Sequence, residues 1–472
     1  MASFQLVFMA IMARLLEPAQ FGLVAVANVS LRFFSYFAQM GISPALIQKP
    51  TLEDGDVRAA LALSLTISIA FLLLAVASAP AIESFFDMPE LSAVTQVLAL
   101  NFIISGFSAV SLGLMRRNAK FRALAIVEIA SYVGGYGLIG LLAAYAGAGV
   151  WALVAAFVSQ NILTAVISYV IVRHPLGLTH TSDQRRHFLT YGGRYSIIGF
   201  IEFLTSNIDA LLVGKILGAT PAGYYSRAVL LANLPVQQPA SVLTKVLFPI
   251  MSSVGNRADK QAIGFQLSVV AVGSYAFAAG AGIFAAAADI VIVLLGVNWL
   301  EAIPILKVLA WSVGPLYLSH VAGVTLDSLN ELSTKFLIQI STLVLLLGLL
   351  AVFVPFGSAT AIATAVVIVE WVRMLIMGVV LVRLLRISAK DVAIIACCVG
   401  VVAVCSGLAV VLASRTMQVE AGFVRLCMEI LAGAAGLFAG FLIARRFATL
   451  LPAIRFLADR VPRFAKLLPR RA

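Results

Sequence analysis

Apolar residues run along this chain in long blocks. They show neither the alternation of a half-buried strand nor the one-sided stripe of a soluble helix. Fourteen blocks come near the ~20 residues needed to cross a bilayer as a helix. They occupy 2–16, 21–43, 58–82, 91–114, 123–146, 150–172, 195–217, 221–248, 264–288, 302–326, 334–354, 359–382, 391–413 and 423–444. The pattern predicts an all-α integral membrane protein of about 14 transmembrane helices joined by mostly short connections. The first block is short, with about 13 apolar residues before Arg14. No basic segment precedes it as in a signal peptide, so it reads as a first span cut short.

One phrase recurs within this pattern. Arg14-Leu-Leu-Glu-Pro-Ala-Gln-Phe-Gly22 is echoed 201 residues later by Lys215-Ile-Leu-Gly-Ala-Thr-Pro-Ala-Gly223. Each copy has a cation, two aliphatics, a short turn and a glycine, and each follows one apolar block and opens the next. A weaker echo pairs Gly149-Val-Trp-Ala-Leu-Val-Ala-Ala with Ala359-Thr-Ala-Ile-Ala-Thr-Ala-Val. Duplicated membrane units are a common construction of transporters. Spans 1–6 (residues 1–172) form one lobe and spans 7–12 (195–383) a second, with a cytoplasmic linker at 173–194 between them. Two further helices (384–446) and a basic tail (447–472) follow. Six crossings return the chain to its starting side, so the two six-helix lobes are parallel, related by an axis along the membrane normal.

Composition narrows the class. The chain is 62% hydrophobic and 11% charged, against about 25% charged in soluble domains, which excludes a soluble globular protein. A net charge of +12 in a soluble chain would point to nucleic acid; here its distribution argues against that partner. Cations crowd into alternate connections: Arg116, Arg117, Lys120 and Arg122; Arg173, Arg185, Arg186 and Arg194; Arg383, Arg386 and Lys390; and the tail after Arg445. The positive-inside rule then places both termini in the cytoplasm. The tail is also suited to anionic lipid, at on the order of 1 kcal/mol per cation near the surface. Cys397, Cys398, Cys405 and Cys427 lie in the last two spans and read as packing. His174, His180 and His187 read as solvated linker residues, with no metal site at ligand spacing.

Charge at membrane depth costs at least about 2.5–3.5 kcal/mol at a helix centre, so it marks pathways or buried pairs. Arg32, Asn101, Gln160 with Asn161, and Glu370 with Arg373 fall near the middles of spans 2, 4, 6 and 12, as a shared interior cavity would require. In span 7, Glu202, Thr205, Ser206 and Asp209 share one helical face at i, i+3, i+4 and i+7. Structural ion pairing, an ion or proton site, and substrate contact all fit that face. Span 8 carries Asn233, Pro235, Gln237, Gln238 and Pro239, and each proline removes a backbone donor. Either a wet cavity or neighbouring helices must satisfy the carbonyls so freed. Arg227 and Lys245 flank the kink, placed to snorkel to the interfaces or, for Arg227, to meet an anionic head group. Nucleophile elbows, phosphate-binding glycine loops and ligand-spaced clusters are absent from the sequence, so no enzyme is expected.

These residues resemble polysaccharide flippases of the multidrug/oligosaccharidyl-lipid/polysaccharide exporter superfamily over nearly the whole chain. The markers are Ala13–Gly22, Gly41–Lys49, Arg116-Arg117 with Lys120–Arg122, Asn207–Lys215 running to Gly223–Arg227, Leu247–Met251 and Leu294–Trp299. The resemblance implies alternating access between two lobes in the bacterial inner membrane, carrying an undecaprenyl-diphosphate-linked glycan outward for exopolysaccharide, O-antigen or capsule. It also implies coupling to a Na⁺ or H⁺ gradient, and glycosyltransferases and a polymerase as pathway partners. Arg32, then Arg227 and Arg373, are the candidates for the diphosphate. Gln160, Asn161, Gln237 and Gln238 are candidates for the glycan, and Glu202, Asp209 and Glu370 for the coupling ion. The chain departs from the family in its short first span and in Glu17, where glycine is usual. An ion-coupled drug or metabolite exporter is the nearest rival, and a membrane polymerase or glycosyltransferase the enzyme alternative.

Overall fold

A computed structural model describes residues 2–38, 46, 49, 51–177, 201, 203–235, 258–416 and 422–448. Among these residues all regular structure is helical. The helices are α1 (Ala2–Leu15), α2 (Pro18–Ala38), α3 (Asp54–Phe86), α4 (Leu91–Ala99), α5 (Asn101–Arg117), α6 (Phe121–Tyr132), α7 (Leu141–Tyr145) and α8 (Val150–Val172). After α9 (203–217) and α10 (219–235) come α11 (Ala258–Leu294), α12 (Ala302–Ser328), α13 (Leu332–Phe353), α14 (Ala359–Leu384), α15 (Ala389–Thr416) and α16 (Phe423–Ala448). Ten helical stretches among the described residues are long and apolar enough to cross a membrane, and each falls on an expected span (3–6 and 9–14). Phe4–Leu15 is a shorter apolar helix.

Local chemistry sets the helix ends. Pro18 opens α2 where its missing N–H costs nothing. Before α3, Glu53 and Asp56 form a reciprocal capping box, the Glu53 N–H donating to Asp56 Oδ2 at 3.1 Å. Ser358 caps α14 by accepting from the Ala361 N–H at 3.2 Å. Left-handed residues stop α3 at Asp87 and α8 at Arg173. Pro80 and Pro315 sit inside α3 and α12 without ending them, as lipid-spanning helices allow.

The chain divides into two compact units, Met1–Ser226 and Arg227–Ala472. In the first, α3 packs on α4 and α5, and α5 packs on α8. In the second, α11 packs on α12 and α15, α12 on α14, and α15 on α16. Lipid removes most of the hydrophobic drive for helix pairing, so close approach of small residues takes its place. Ser64 Oγ donates to the Gly106 carbonyl at 2.8 Å between α3 and α5. Along α16, Gly433, Gly436 and Gly440 face Val402, Cys405, Ser406 and Val410 of α15. The cysteines are free thiols, and buried Cys398 points its Sγ at the Ala444 carbonyl, 3.6 Å away.

Candidate functional site

The repeated phrase supplies the first element of the site. Its copies meet at their glycines, within the first unit. A Cβ on Gly22 would overlap the Ala219 carbonyl and stand 2.7 Å from the Gly223 nitrogen; one on Gly223 would overlap the Pro18 carbonyl. The starts of α2 and α10 therefore cross backbone to backbone at equivalent positions of the repeated phrase. Around the crossing, Ala222 and Phe21 are buried. Gly214 of α9 lies against Val26 of α2, and Phe33 stacks edge-on to Phe203 with ring centroids 6.3 Å apart.

Beside this crossing, α9 and α10 are tied by a buried hydrogen bond in which the Tyr225 hydroxyl donates to Asp209 Oδ2. Asp209 is 8% exposed and its second oxygen makes no hydrogen bond. Of the polar face expected on span 7, Thr205 is satisfied by its own helix, as is the nearby Asn207. Thr205 donates to the Ile201 carbonyl at 2.8 Å, and Asn207 to the Phe203 carbonyl at 2.9 Å. At the end of α9, Lys215 Nζ lies 2.9 Å from Asp87 and over the Phe85 ring, an exposed pair worth at most about 1 kcal/mol.

Arg32 is exposed on α2, toward its end; its carbonyl accepts from Ser35 Oγ at 2.9 Å. Gln160 sits under a widened, π-type segment, Val133–Gly140. There Gly135 rests on the Gln160 backbone so closely that a Cβ would stand 2.6 Å from its Cα. Such segments often accompany functional sites. The Asn161 amide donates back to Phe157, 2.9 Å away. Asn101 opens α5 at the break after α4, with its Oδ1 buried and without a hydrogen bond.

In the second unit, Arg373 Nη2 binds Glu370 Oε2 at 2.5 Å, with both side chains 12% exposed. Arg373 and Glu370, read separately as contacts for substrate and ion, thus form one ion pair on α14. The adjoining Trp371 donates to the Trp311 carbonyl at 3.1 Å. Arg227 is half-buried at the start of this unit. Further along α10, Tyr275 donates to the Pro235 carbonyl at 2.8 Å and Tyr317 to the Asn233 carbonyl at 3.4 Å. A neighbouring helix thus supplies a donor to the Pro235 carbonyl. Glu202, Gln237, Gln238, Lys245 and most of the linker lie outside the described residues.

One sequence expectation changes. His174 is not a solvated linker residue but is 4% exposed. The left-handed Arg173 turns the chain back, so the imidazole inserts between Phe107 and Tyr169 with Nε2 3.1 Å from Ser111 Oγ. Burial lowers its pKa from 6.5, opposed by the Pro175 carbonyl. His180 and His187 lie outside the described residues. The basic markers, meanwhile, do structural work. Arg117 donates to the Leu46 and Lys49 carbonyls at 2.7 and 2.5 Å, and Lys49 pairs with buried Asp56 at 2.5 Å.

Comparison with known proteins follows this geometry. The sequence model of a family described as "Polysaccharide biosynthesis protein" matches residues 11–304. The lipopolysaccharide biosynthesis protein WzxC of Escherichia coli (strain K12) is 24% identical over 64% of this chain and 62% of its own length. The succinoglycan biosynthesis transport protein ExoT of Rhizobium meliloti (strain 1021) is 26% identical over 65% and 62%. The chain thus matches about three fifths of the length of these curated relatives. Among solved structures, the lipid II flippase MurJ in an inward closed conformation superposes with a TM-score of 0.73 at 13% identity, over 94% of this chain and 98% of that one. The shared fold and the ten apolar helices mark a multi-pass membrane protein.

Proposed function

Because the chain belongs to the polysaccharide biosynthesis protein family, we propose that it moves a lipid-linked glycan across the bacterial inner membrane by alternating access. The observation that carries this reading is the Gly22–Gly223 crossing. Two copies of one membrane unit touch there at equivalent backbone positions, as halves that rock about a central path would. The lobes are 1–172 and 195–383, parallel, with both termini cytoplasmic and α15 and α16 appended. An enzyme is not required: the relatives' names describe biosynthesis and transport.

The cargo is an undecaprenyl-diphosphate-linked oligosaccharide. A diphosphate crossing a low-dielectric layer needs cations beside it. Arg32 is the first candidate, because it is exposed and the one charged residue of α2. Arg227 follows, and Arg373 is available only if its pair with Glu370 opens. Gln160, Asn161, Gln237 and Gln238 would meet the sugars. Asp209, with Glu202 nearby in sequence, is the candidate for coupling to H⁺ or Na⁺. Deleting the gene should strand finished lipid-linked glycan on the cytoplasmic face while its synthesis continues. Loss of the precursor itself would favour an enzyme instead.

A further inference from the structure

Near the far end of α11 lies a cluster that none of these roles uses. Asp289 stands on α11, little more than a turn before it ends at Leu294, while Arg425 and Glu429 are one turn apart on α16. Asp289 is 4% exposed and Glu429 1%. Arg425 Nε lies 3.4 Å from Asp289 Oδ2 and 3.5 Å from Glu429 Oε1, so one guanidinium serves two carboxyls. Asp289 Oδ1 and both Glu429 oxygens are buried without a hydrogen bond among the described residues. Among the described residues, the charged groups facing Glu429 are Asp289 from α11 and Arg425 from its own helix. On α15, which also packs against α16, the charge at the same end is Arg415, and its side chain is exposed.

Charge balance decides what this cluster holds. With both carboxyls ionised it carries one uncompensated negative charge, among the apolar neighbours Ala285–Ala288 and Ile290 of α11 and Leu426 and Ile430 of α16. Uncompensated buried charge is what a membrane interior tolerates least. A metal cation would sit against the guanidinium and find few oxygens, where hard cations take about six or more. One proton shared between the carboxyls brings the cluster to neutrality beside Arg425.

We propose that Asp289 and Glu429 form a proton-binding site, held in place by Arg425, that joins the appended helix α16 to α11. Its ligand is a single H⁺ taken from water. Release of that proton leaves like charges facing each other across the α11–α16 contact and loosens it. The proposal does not depend on what the lobes carry.

Infrared difference spectroscopy of the purified full chain in lipid nanodiscs, titrated in pH, tests it through the carbonyl band of protonated carboxyls. The wild type should hold such a band at neutral pH, and both Glu429→Gln and Asp289→Asn should lose it. Either variant leaves one carboxylate facing Arg425, charge-balanced and able to fold. Arg425→Gln should double the band, because both carboxyls are then neutral, a change that a merely structural arginine would not cause. Wild type without the band at neutral pH, or a band kept in both carboxyl variants, overturns the proposal. So does a band abolished by NaCl at fixed pH, which would assign the site to a metal cation.

Discussion

Replacing Gly22 by alanine should shift the protein away from the state in which the two phrases touch. The new Cβ would stand 2.7 Å from the Gly223 nitrogen and 2.7 Å from the Ala219 carbonyl carbon, and closer still to its oxygen. Ordinary contacts of this kind begin near 3.4 Å, so clearing the Ala219 oxygen makes α2 and α10 part by roughly 1.5 Å, enough to break close packing. Overpacking of this size costs about 1–3 kcal/mol, which corresponds to a shift of about 5–150-fold between two states. Gly223→Ala should do the same by pushing on Pro18. The double variant should cost less than the sum, since one separation relieves both overlaps. A cysteine replacing buried Ala222, in a background without the four native thiols, reports the shift. Its labelling rate in membranes should rise by that factor in Gly22→Ala and in Gly223→Ala. Unchanged labelling in folded, membrane-inserted protein would refute the reasoning: the crossing would then be incidental to the conformational equilibrium.

Three other outcomes follow from the same geometry. Arg373→Ala should destabilise the second unit by about 1.5–3 kcal/mol because it removes a charge-assisted hydrogen bond from the mostly buried Glu370, whereas Arg373→Met with Glu370→Leu should recover most of that loss in a detergent melt. Recovery of stability without recovery of export would separate a transport role from the structural one. Tyr225→Phe should cost about 1–3 kcal/mol, the loss of a hydrogen bond to the buried Asp209 side chain, read as a lower melting temperature; an unchanged melt would mean the hydroxyl matters little. His174 has a folded pKa below its unfolded 6.5, so the unfolded chain binds the proton more readily. The stability this gives is complete above about pH 6.5 and is lost as pH falls toward the folded value. The melting temperature of wild type minus that of His174→Asn should therefore decline below pH 6.5, and a flat difference would contradict the buried, neutral imidazole.

Much of the architecture was legible because lipid leaves so few options. Each membrane helix must carry its own long apolar block, and the ten seen among the described residues sit where those blocks lie. The repeated phrase was legible too, but not its consequence. That Gly22 touches Gly223 depends on packing between segments about 200 residues apart, for which no local pattern exists. Midpoint polarity pointed to Glu370 and Arg373 but not to their pairing, although their i, i+3 spacing allowed it. It led away from Asp289, Arg425 and Glu429, which lie nearer helix ends. An acid interrupting Ala285–Val291 and an Arg–Glu pair at i, i+4 were the available signals. His174 was misread because a basic segment after a span looks solvated, whereas the turn at Arg173 folds it inward.

The central claim is that this chain itself carries a lipid-linked glycan across the bilayer. Proteoliposomes made with the purified full chain and a polyprenyl-diphosphate oligosaccharide, fluorescently labelled on the sugar, measure this by the fraction of label that a membrane-impermeant quencher reaches. With the label initially on the inner leaflet alone, the quenchable fraction should rise with time when protein is present and stay near zero without it. Arg32→Ala should slow that rise. Equal, protein-independent rates in all three samples would contradict the account.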